Sequence, residues 1–291
     1  MNLKGTGVAL VTPFTKNNEV DFSALANLVN HVIEGGVDYL VVLGTTGESV
    51  TLSKEEKKKI LEKVKEVNAG RLPIMLGVGG NNTAHVIKEM EGIDFTGVSS
   101  ILSVSPYYNR PSQEGIYQHY AAIAQKAPVP VVLYDVPART GSSVLPETTL
   151  RLAKDFKNII AMKDASGGLD KCKAVVDGAP QGFAVTSGDD SLALGMMKLG
   201  AHGLISVIAN AYPKETVAIV NAALKGDYDA SQKAHNHLQA VMDVAFDDGN
   251  PSSIKYFLYR KGMIENILRL PLVPVKKESA DKIDKVFEVF K

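Results

Sequence analysis

Lys163 is the residue that most directly suggests catalysis, because it follows the uncharged run Ile159–Met162. An apolar run that ends in a lysine is typical of a strand opening into a pocket, although it is also compatible with an ordinary solvated surface lysine. Inside a pocket a lysine loses hydration, which favours its neutral amine. A neutral amine can attack a ketone carbon and form a Schiff base. Lys163 is therefore our first candidate nucleophile.

Tyr134 and Arg139 are the candidates for proton transfer and for carboxylate binding. Tyr134 ends the apolar run Val129–Tyr134, and Arg139 follows five residues later. A phenol at the mouth of a pocket can donate or accept a proton. A guanidinium can bind a carboxylate with two hydrogen bonds, although an arginine in a loop is usually just solvated.

Two glycine-containing turns are candidate anion sites. In the segment 44–49 (Gly-Thr-Thr-Gly-Glu-Ser) two glycines bracket Thr45 and Thr46, so backbone N–H groups and hydroxyls can together hold a carboxylate or a phosphate. The alternative is a plain glycine-rich turn. In the segment 187–190 (Ser-Gly-Asp-Asp) Gly188 lets a substrate approach the backbone at a helix start, where the aspartates also suit helix capping.

Two further segments are compatible with either a functional or a purely structural role. The segment 105–111 (Ser-Pro-Tyr-Tyr-Asn-Arg-Pro) contains Tyr107 and Tyr108 between two prolines, which stiffen either a functional loop or a rigid surface turn. Ile205, in the run Gly203–Val207, either faces the same pocket or packs in the core.

The composition argues against several other classes of protein. Lys plus Arg total 32 and Asp plus Glu total 32, so the chain lacks the basic excess that drives binding to nucleic acid. The single cysteine, Cys172, fits a reducing cytosol. The six histidines have no metal-ligand spacing, and no apolar stretch reaches the length of a membrane span, so we expect no metal site and no membrane partner.

Eight short apolar runs alternate with helix-period segments over the first three quarters of the chain. This alternation is typical of a parallel sheet covered by helices, and spacings of roughly 20 to 35 residues fit βαβ units. The runs are Val8–Val11, Tyr39–Leu43, Pro73–Leu76, Val98–Val104, Val129–Tyr134, Ile159–Met162, Phe183–Thr186 and Gly203–Val207.

Eight such units predict an α/β fold of the (β/α)₈ TIM-barrel type, because closure removes the edge strands. The alternative is an open doubly wound sheet, but its first turn is usually glycine-rich, whereas residues 12–15 here are Thr-Pro-Phe-Thr. In a barrel the functional residues follow the carboxyl ends of the strands, where Lys163 and Tyr134 fall.

The strand pattern stops after about residue 225. Three helical segments follow, Tyr228–Phe246, Ser253–Gly262 and Glu278–Phe290, and they are too apolar to stay solvated. We therefore predict a catalytic barrel over residues 1–225 and a C-terminal helical appendage over residues 226–291.

Four motifs occur in order at the predicted strand ends: Gly44-Thr45-Thr46-Gly47-Glu48, Pro106-Tyr107-Tyr108-Asn109, Tyr134-Asp135-Val136-Pro137 and Lys163. Together they resemble the pyruvate-dependent class I aldolase (N-acetylneuraminate lyase) superfamily, and most closely its dihydrodipicolinate synthase (4-hydroxy-tetrahydrodipicolinate synthase) branch. The similarity spans nearly the whole chain.

The resemblance implies a lyase that condenses pyruvate with L-aspartate 4-semialdehyde, the first committed step of lysine biosynthesis by the diaminopimelate route. It implies a cytoplasmic homotetramer, built as a pair of tight dimers, and no cofactor beyond the Schiff base with pyruvate. A sister aldolase or lyase, acting on N-acetylneuraminate or a 2-keto-3-deoxy sugar acid, is the alternative, but such relatives generally lack an arginine at the position of Arg139. A barrel that only senses a small acid is the alternative outside enzymes.

The resemblance also implies catalytic roles. Lys163 forms the Schiff base, and Tyr134 donates and accepts the proton. Thr45 and Tyr108 complete a proton relay with Tyr134, and one tyrosine of the pair 107–108 crosses a dimer interface.

Substrate binding follows from the same resemblance. Thr46 binds the pyruvate carboxylate, helped by the backbone near Gly188 and Ile205, and Arg139 guides the carboxylate of the semialdehyde.

A cavity for feedback inhibition by lysine is the last implied site, with Ser49, Asn81, His85 and Tyr107 as its residues. Inhibited members of the family have a glutamate at the position of His85, and often histidines at those of Lys54 and Lys57. Loss of a carboxylate and gain of cations disfavour a cationic effector, so we expect weak or absent inhibition by lysine.

This chain departs from the family pattern at two places. Asp135 stands where the family usually has asparagine. The C-terminal Asn-Pro-x-Pro-x-Lys motif lacks its second proline, since residues 250–255 are Asn-Pro-Ser-Ser-Ile-Lys.

Overall fold

The strands form a closed barrel in the computed structural model, which describes residues 3–290. Within these residues eight parallel strands follow one another in chain order, and the eighth pairs with the first. The prediction of a (β/α)₈ barrel is confirmed. The strands are β1 (Gly5–Ala9), β2 (Tyr39–Val42), β3 (Ile74–Gly77), β4 (Ser100–Val104), β5 (Val131–Asp135), β6 (Ile159–Asp164), β7 (Ala184–Ser187) and β8 (Gly203–Ser206).

Helices separate the strands and cover the outside of the barrel. Their bounds are α1 (Phe22–Glu34), α2 (Lys54–Asn68), α3 (Thr83–Glu91), α4 (Gln113–Lys126), α5 (Pro137–Thr140), α6 (Pro146–Asp155), α7 (Leu169–Gly178), α8 (Ala193–Lys198) and α9 (Pro213–Leu224). Local sequence fixes several starts. Ser53 and Glu56 form a capping box at the start of α2, the Ser112 hydroxyl caps α4, and Pro146 is the first residue of α6.

Side chains alternate across each strand, so the barrel has two apolar cores. Outward residues of the strands pack against the helices. Inward residues form a smaller cluster along the barrel axis, which includes Tyr39, Met75, Val132, Tyr134, Ala161 and Ile205. Ile205 therefore packs in the barrel core, which was one of its two predicted positions.

The first strand begins earlier than the predicted run Val8–Val11, at Gly5. Glycine is required here by close packing, since a Cβ added to Gly7 would lie 2.1 Å from the ring of Tyr39. The large inward Tyr39 thus occupies the space that a side chain on β1 would need.

Three helices follow the barrel: α10 (Tyr228–Val244), α11 (Ser252–Arg260) and α12 (Lys277–Val289). Helix α10 packs against α9, and α12 packs against α10 and α11. The ring of Tyr212, just before α9, lies 5.8 Å from that of Phe257 and 5.8 Å from that of Phe290, measured between centroids. The predicted C-terminal helical region is confirmed, whereas its separation from the barrel at residue 226 stays a prediction.

Residues 1, 2 and 291 of the two predicted ranges lie outside the described residues. Among the helices described in residues 3–290, none has the length and apolar character needed to cross a membrane.

Candidate active site

Lys163 lies on β6 with its side chain directed into the mouth of the barrel. The strand alternation that places Ala161 inward also places Lys163 inward, and the residue is only 6% exposed. Lys163 pairs with Tyr134 in the register of β6 and β5, and its Nζ lies 4.3 Å from the centroid of the Tyr134 ring. The structure thus brings the candidate nucleophile and the candidate proton-transfer group together.

Gly188 lies directly against Lys163. A Cβ added to Gly188 would lie 2.8 Å from Cε of Lys163 and 2.8 Å from Cβ of Ala165. Its N–H donates to the backbone carbonyl of Asp164 at 2.7 Å. Glycine at position 188 therefore leaves the room in which the Lys163 side chain extends.

Thr45 and Thr46 lie in a short 3₁₀ turn after β2 and have different surroundings. Thr45 is exposed, whereas Thr46 is 3% exposed, and its hydroxyl accepts a hydrogen bond from Nδ2 of Asn250 at 2.9 Å. Asn250 was not predicted to have a role at the site, although the Asn-Pro motif that contains it could have drawn attention to this contact.

Arg139 extends from the short helix α5 and meets the same asparagine. Its guanidinium donates to the backbone carbonyl of Asn250 at 3.0 Å. Asn250 thus contacts both residues that are predicted to bind substrate carboxylates, Thr46 through its side chain and Arg139 through its backbone.

A cavity of about 350 Å³ opens beside these residues. Thr45, Tyr134 and Arg139 line one part of it. The predicted effector residues line the same cavity; they are Ser49, Asn81, His85 and Tyr107. Nδ2 of Asn81 donates to the carbonyl of Tyr107 at 3.2 Å, and this bond joins two of the effector residues.

Tyr108 lies apart from the other predicted catalytic residues. Its side chain is 89% exposed, and its backbone has a positive φ of 74°. The backbone N–H of Tyr108 donates to the carbonyl of Thr140 at 3.4 Å, so its loop rests on the segment that carries Arg139. A single chain does not bring this phenol to Lys163.

A buried ion pair fixes the turn that contains Thr45 and Thr46 to the C-terminal helices. Nζ of Lys255 donates to Glu48 at 2.5 Å and to the carbonyl of Ile267 at 2.8 Å, and neither side chain of the ion pair is exposed. Burial lowers the pKa of Lys255 to about 8, opposed by the nearby carboxylate of Glu48. The sequence motif contained Glu48 but did not indicate its partner.

A lysine inside the mouth of a (β/α)₈ barrel, next to a tyrosine, is typical of a class of enzyme: lyases that form a Schiff base with a keto acid. A model of the dihydrodipicolinate synthetase family matches residues 2–289. The chain belongs to this family.

Individual relatives agree with the family match. The 4-hydroxy-tetrahydrodipicolinate synthase of Flavobacterium psychrophilum is 50% identical over 280 residues, which are 96% of this chain and 96% of that protein. The crystal structure of dihydrodipicolinate synthase from Aquifex aeolicus superposes with a TM-score of 0.96 at 38% identity, covering 99% of this chain and 98% of that one. A structure described as a monomeric dihydrodipicolinate synthase variant matches with a TM-score of 0.95 at 38% identity, over 98% of this chain and 96% of that one.

The family confirms the activity expected from the motifs. The chain is a lyase with 4-hydroxy-tetrahydrodipicolinate synthase activity in lysine biosynthesis by the diaminopimelate route. The chemistry runs through a Schiff base between pyruvate and a lysine, without an external cofactor. A sister aldolase and a sensor barrel are not favoured.

Proposed function

We propose that Lys163 is the lysine that forms the Schiff base with pyruvate and that the enamine so formed attacks L-aspartate 4-semialdehyde. The observation that carries this assignment is the position of the Lys163 amine, which is buried at the barrel mouth 4.3 Å from the Tyr134 ring centroid. None of the ion pairs formed between described residues involves Lys163, so no carboxylate holds its nitrogen away from a ketone.

The proposed reaction begins and ends with the free amine of Lys163. The Lys163 nitrogen adds to the ketone carbon of pyruvate, and loss of water gives the imine. The imine draws electrons from the methyl group, which loses a proton and becomes the nucleophilic carbon of an enamine. This carbon forms a bond to the aldehyde carbon of the semialdehyde. The amino group of the second substrate then attacks the imine carbon, closes the ring and releases Lys163.

Tyr134 moves protons during imine formation and aldol addition, since its ring is packed against the lysine that reacts. Thr45 lines the cavity with Tyr134 and continues the relay. Thr46 holds the pyruvate carboxylate, and the backbone near Gly188 and Ile205 assists it. Arg139, exposed at the cavity, holds the carboxylate of the semialdehyde.

Borohydride trapping tests the assignment of Lys163. Pyruvate and reductant should add one pyruvate-derived mass to the peptide that contains Lys163, and Lys163→Ala should remove the adduct. Lys173→Ala, which removes an exposed lysine, serves as the control and should leave the adduct in place. An adduct on a different peptide would overturn the assignment.

The second substrate is tested by a panel of aldehydes with the unmodified enzyme. We expect turnover with L-aspartate 4-semialdehyde and little with N-acetylmannosamine or glyceraldehyde. Arg139→Ala should raise KM for the semialdehyde while pyruvate trapping is retained. Faster turnover of a sugar aldehyde would contradict the proposal.

We further propose that Tyr108 completes the relay in the site of a neighbouring copy, within a homotetramer of two tight dimers in the cytoplasm. Its nearly complete exposure in a single chain supports a position at an interface. A monomeric variant shares this fold, so assembly must be measured directly.

Hybrid oligomers test the shared site. When Lys163→Ala and Tyr108→Phe chains are mixed and reassembled, one site of each mixed dimer regains both intact residues. Activity above that of either variant alone is expected, and light scattering should give the tetramer mass. Hybrids no more active than the parent variants would show that Tyr108 serves its own chain or none.

Weak or absent inhibition by lysine remains our prediction for the cavity wall formed by Ser49, Asn81, His85 and Tyr107. Lys57, which also lines it, pairs with Glu89 at 3.0 Å, so the carboxylate nearby is already neutralised. Half-inhibition at sub-millimolar lysine would contradict this.

A further inference from the structure

Two buried carboxylates lie on the opposite face of the barrel wall from Lys163 and Tyr134. Asp135 follows Tyr134 on β5 and Asp164 follows Lys163 on β6, and the two aspartates are partners in the strand register. Because neighbouring side chains on a strand point to opposite faces, both carboxylates lie on the outer side of the barrel wall. Asp135 is 0% exposed and Asp164 is 2% exposed.

Lys171 on α7 supplies the opposite charge. Its ammonium donates to the Asp135 carboxylate and to the Ser143 hydroxyl, and the lysine side chain is 12% exposed. Burial raises the pKa of Asp164, and Lys171 acts on this carboxylate as well, in the lowering direction. The ammonium of Lys171 thus stabilises the charged forms of both Asp135 and Asp164.

The position of Lys171 is unfavourable for the helix itself. It lies in the first turn of α7, where the helix dipole favours anions and opposes cations. The charge of Lys171 is therefore stabilised by Asp135 and not by the helix dipole.

Asp135 also closes the loop that carries Arg139. One carboxylate oxygen accepts from the backbone N–H of Val144 at 3.0 Å, and the other accepts from the Ser143 hydroxyl at 3.0 Å. The chain thus leaves β5 at Asp135, passes through Arg139 and returns to the same carboxylate. Lys171 bridges the closure, because it contacts both Asp135 and Ser143.

We propose that Asp135 and Lys171 form a positioning pair that fixes the loop 136–144 and thereby sets the place of Arg139 toward the carboxylate of the second substrate. The proposal rests on the role proposed for Arg139. The orientation of the loop then depends on two charges that neutralise each other.

Variants of the pair should change the acceptor step and leave the pyruvate step intact. Lys171→Met leaves the Asp135 carboxylate buried without its cation, which is strongly unfavourable. We expect KM for L-aspartate 4-semialdehyde to rise by about tenfold with kcat within about threefold, the pattern of lost ground-state binding. Borohydride trapping of pyruvate should stay within about twofold of wild type.

The double variant decides whether the two residues act as a unit. Asp135→Asn alone should raise the acceptor KM to a smaller extent, because the amide still accepts from Val144 but faces the ammonium of Lys171. Asp135→Asn with Lys171→Met removes both charges and should restore the acceptor KM to within about threefold of wild type, a non-additivity expected only of coupled residues. Lys171→Arg should also retain function.

Lys173→Met on the same helix is the matched control. It breaks an exposed pair with Asp177 at 2.7 Å and should change no kinetic constant. Additive effects of the two single variants, or equal losses in pyruvate trapping and acceptor KM, would overturn the positioning role. A lowered melting temperature with unchanged acceptor KM would show a structural role only. Failure of wild-type trapping at Lys163 would instead refute the proposed function.

Discussion

Two buried lysines, Lys163 on β6 and Lys255 on α11, illustrate what makes an amine reactive. Lys163 is 6% exposed and Lys255 is 0% exposed, and each Nζ lies over an aromatic ring, at 4.3 Å from the Tyr134 centroid and 4.2 Å from that of Phe14. Burial and an aromatic neighbour are therefore common to both.

The difference lies in the hydrogen-bond partners. Lys255 is held by the Glu48 carboxylate and by the carbonyl of Ile267, which occupy its protons. Lys163 has no carboxylate partner among the described ion pairs, and Gly188 leaves the room that its side chain occupies. A counter-ion makes a buried lysine a structural element, whereas a lysine without one is available to react.

The largest effect should come from Lys163→Met. Removing the amine removes the only route to the imine, so turnover should fall by at least about a thousandfold. Stability should stay equal or rise, because a buried amine without a counter-ion is replaced by an apolar side chain. Steady-state kinetics and urea unfolding of the same preparation measure both effects. Substantial residual turnover, or a large loss of stability, would show that Lys163 is the structural lysine of the two.

Lys255→Met should give the opposite result. The Glu48 carboxylate would remain buried without its cation, which costs about 3–5 kcal/mol of unfolding free energy. Glu48→Gln together with Lys255→Met should recover most of this loss, because replacing both charges removes the unpaired group. Urea unfolding of the single and double variants is the measurement. Trapping of pyruvate on Lys163 in the folded Lys255→Met enzyme should persist, and its loss would contradict the division between the two lysines.

The position of Lys163 in the barrel mouth could be predicted from the sequence, whereas the ion pair of Lys255 could not. Lys163 stands at the end of an apolar run, and strand period together with the barrel rule places such a residue at the mouth. Lys255 and Glu48 are 207 positions apart, and Lys171 is 36 positions from Asp135. Periodicity predicts which face a residue takes but carries no information on which distant side chain it meets.

Packing explains the other differences. The predicted first strand missed Gly5 and Gly7, because glycine has low strand propensity and its role here depends on the ring of Tyr39 on the neighbouring strand. Tyr108 is 89% exposed in a single chain, so its predicted part in the relay across an interface stays a prediction. The sequence therefore predicted the barrel and the positions of Lys163 and Tyr134 at its mouth, whereas the long-range contacts could not be predicted.

Asp190 is a buried acid that has no cation partner among the described ion pairs, so it is the counterpart of Lys163 with the opposite charge. Asp190, at the start of the connection after β7, is 1% exposed and accepts from the Ser206 hydroxyl and from the backbone N–H of Val207 at 3.0 Å. Burial raises the pKa of Asp190 to about 6, against the lowering effect of these hydrogen bonds. The two neutral donors therefore do not fully compensate for burial, and the ionised carboxylate of Asp190 is less favourable here than in water.

The sign of the pH effect follows from this raised pKa. Between about pH 4 and 6 the folded chain binds a proton at Asp190 that the unfolded chain has released, so this group's stabilising contribution is complete below pH 4 and is lost as pH rises toward 6. Two pKa units correspond to about 3 kcal/mol at most. In Asp190→Asn the difference in unfolding free energy from wild type should change by about this amount between pH 4 and 7. Parallel pH profiles for wild type and Asp190→Asn would mean that the two hydrogen bonds offset burial entirely, and that an uncompensated charge in this barrel carries no stability cost.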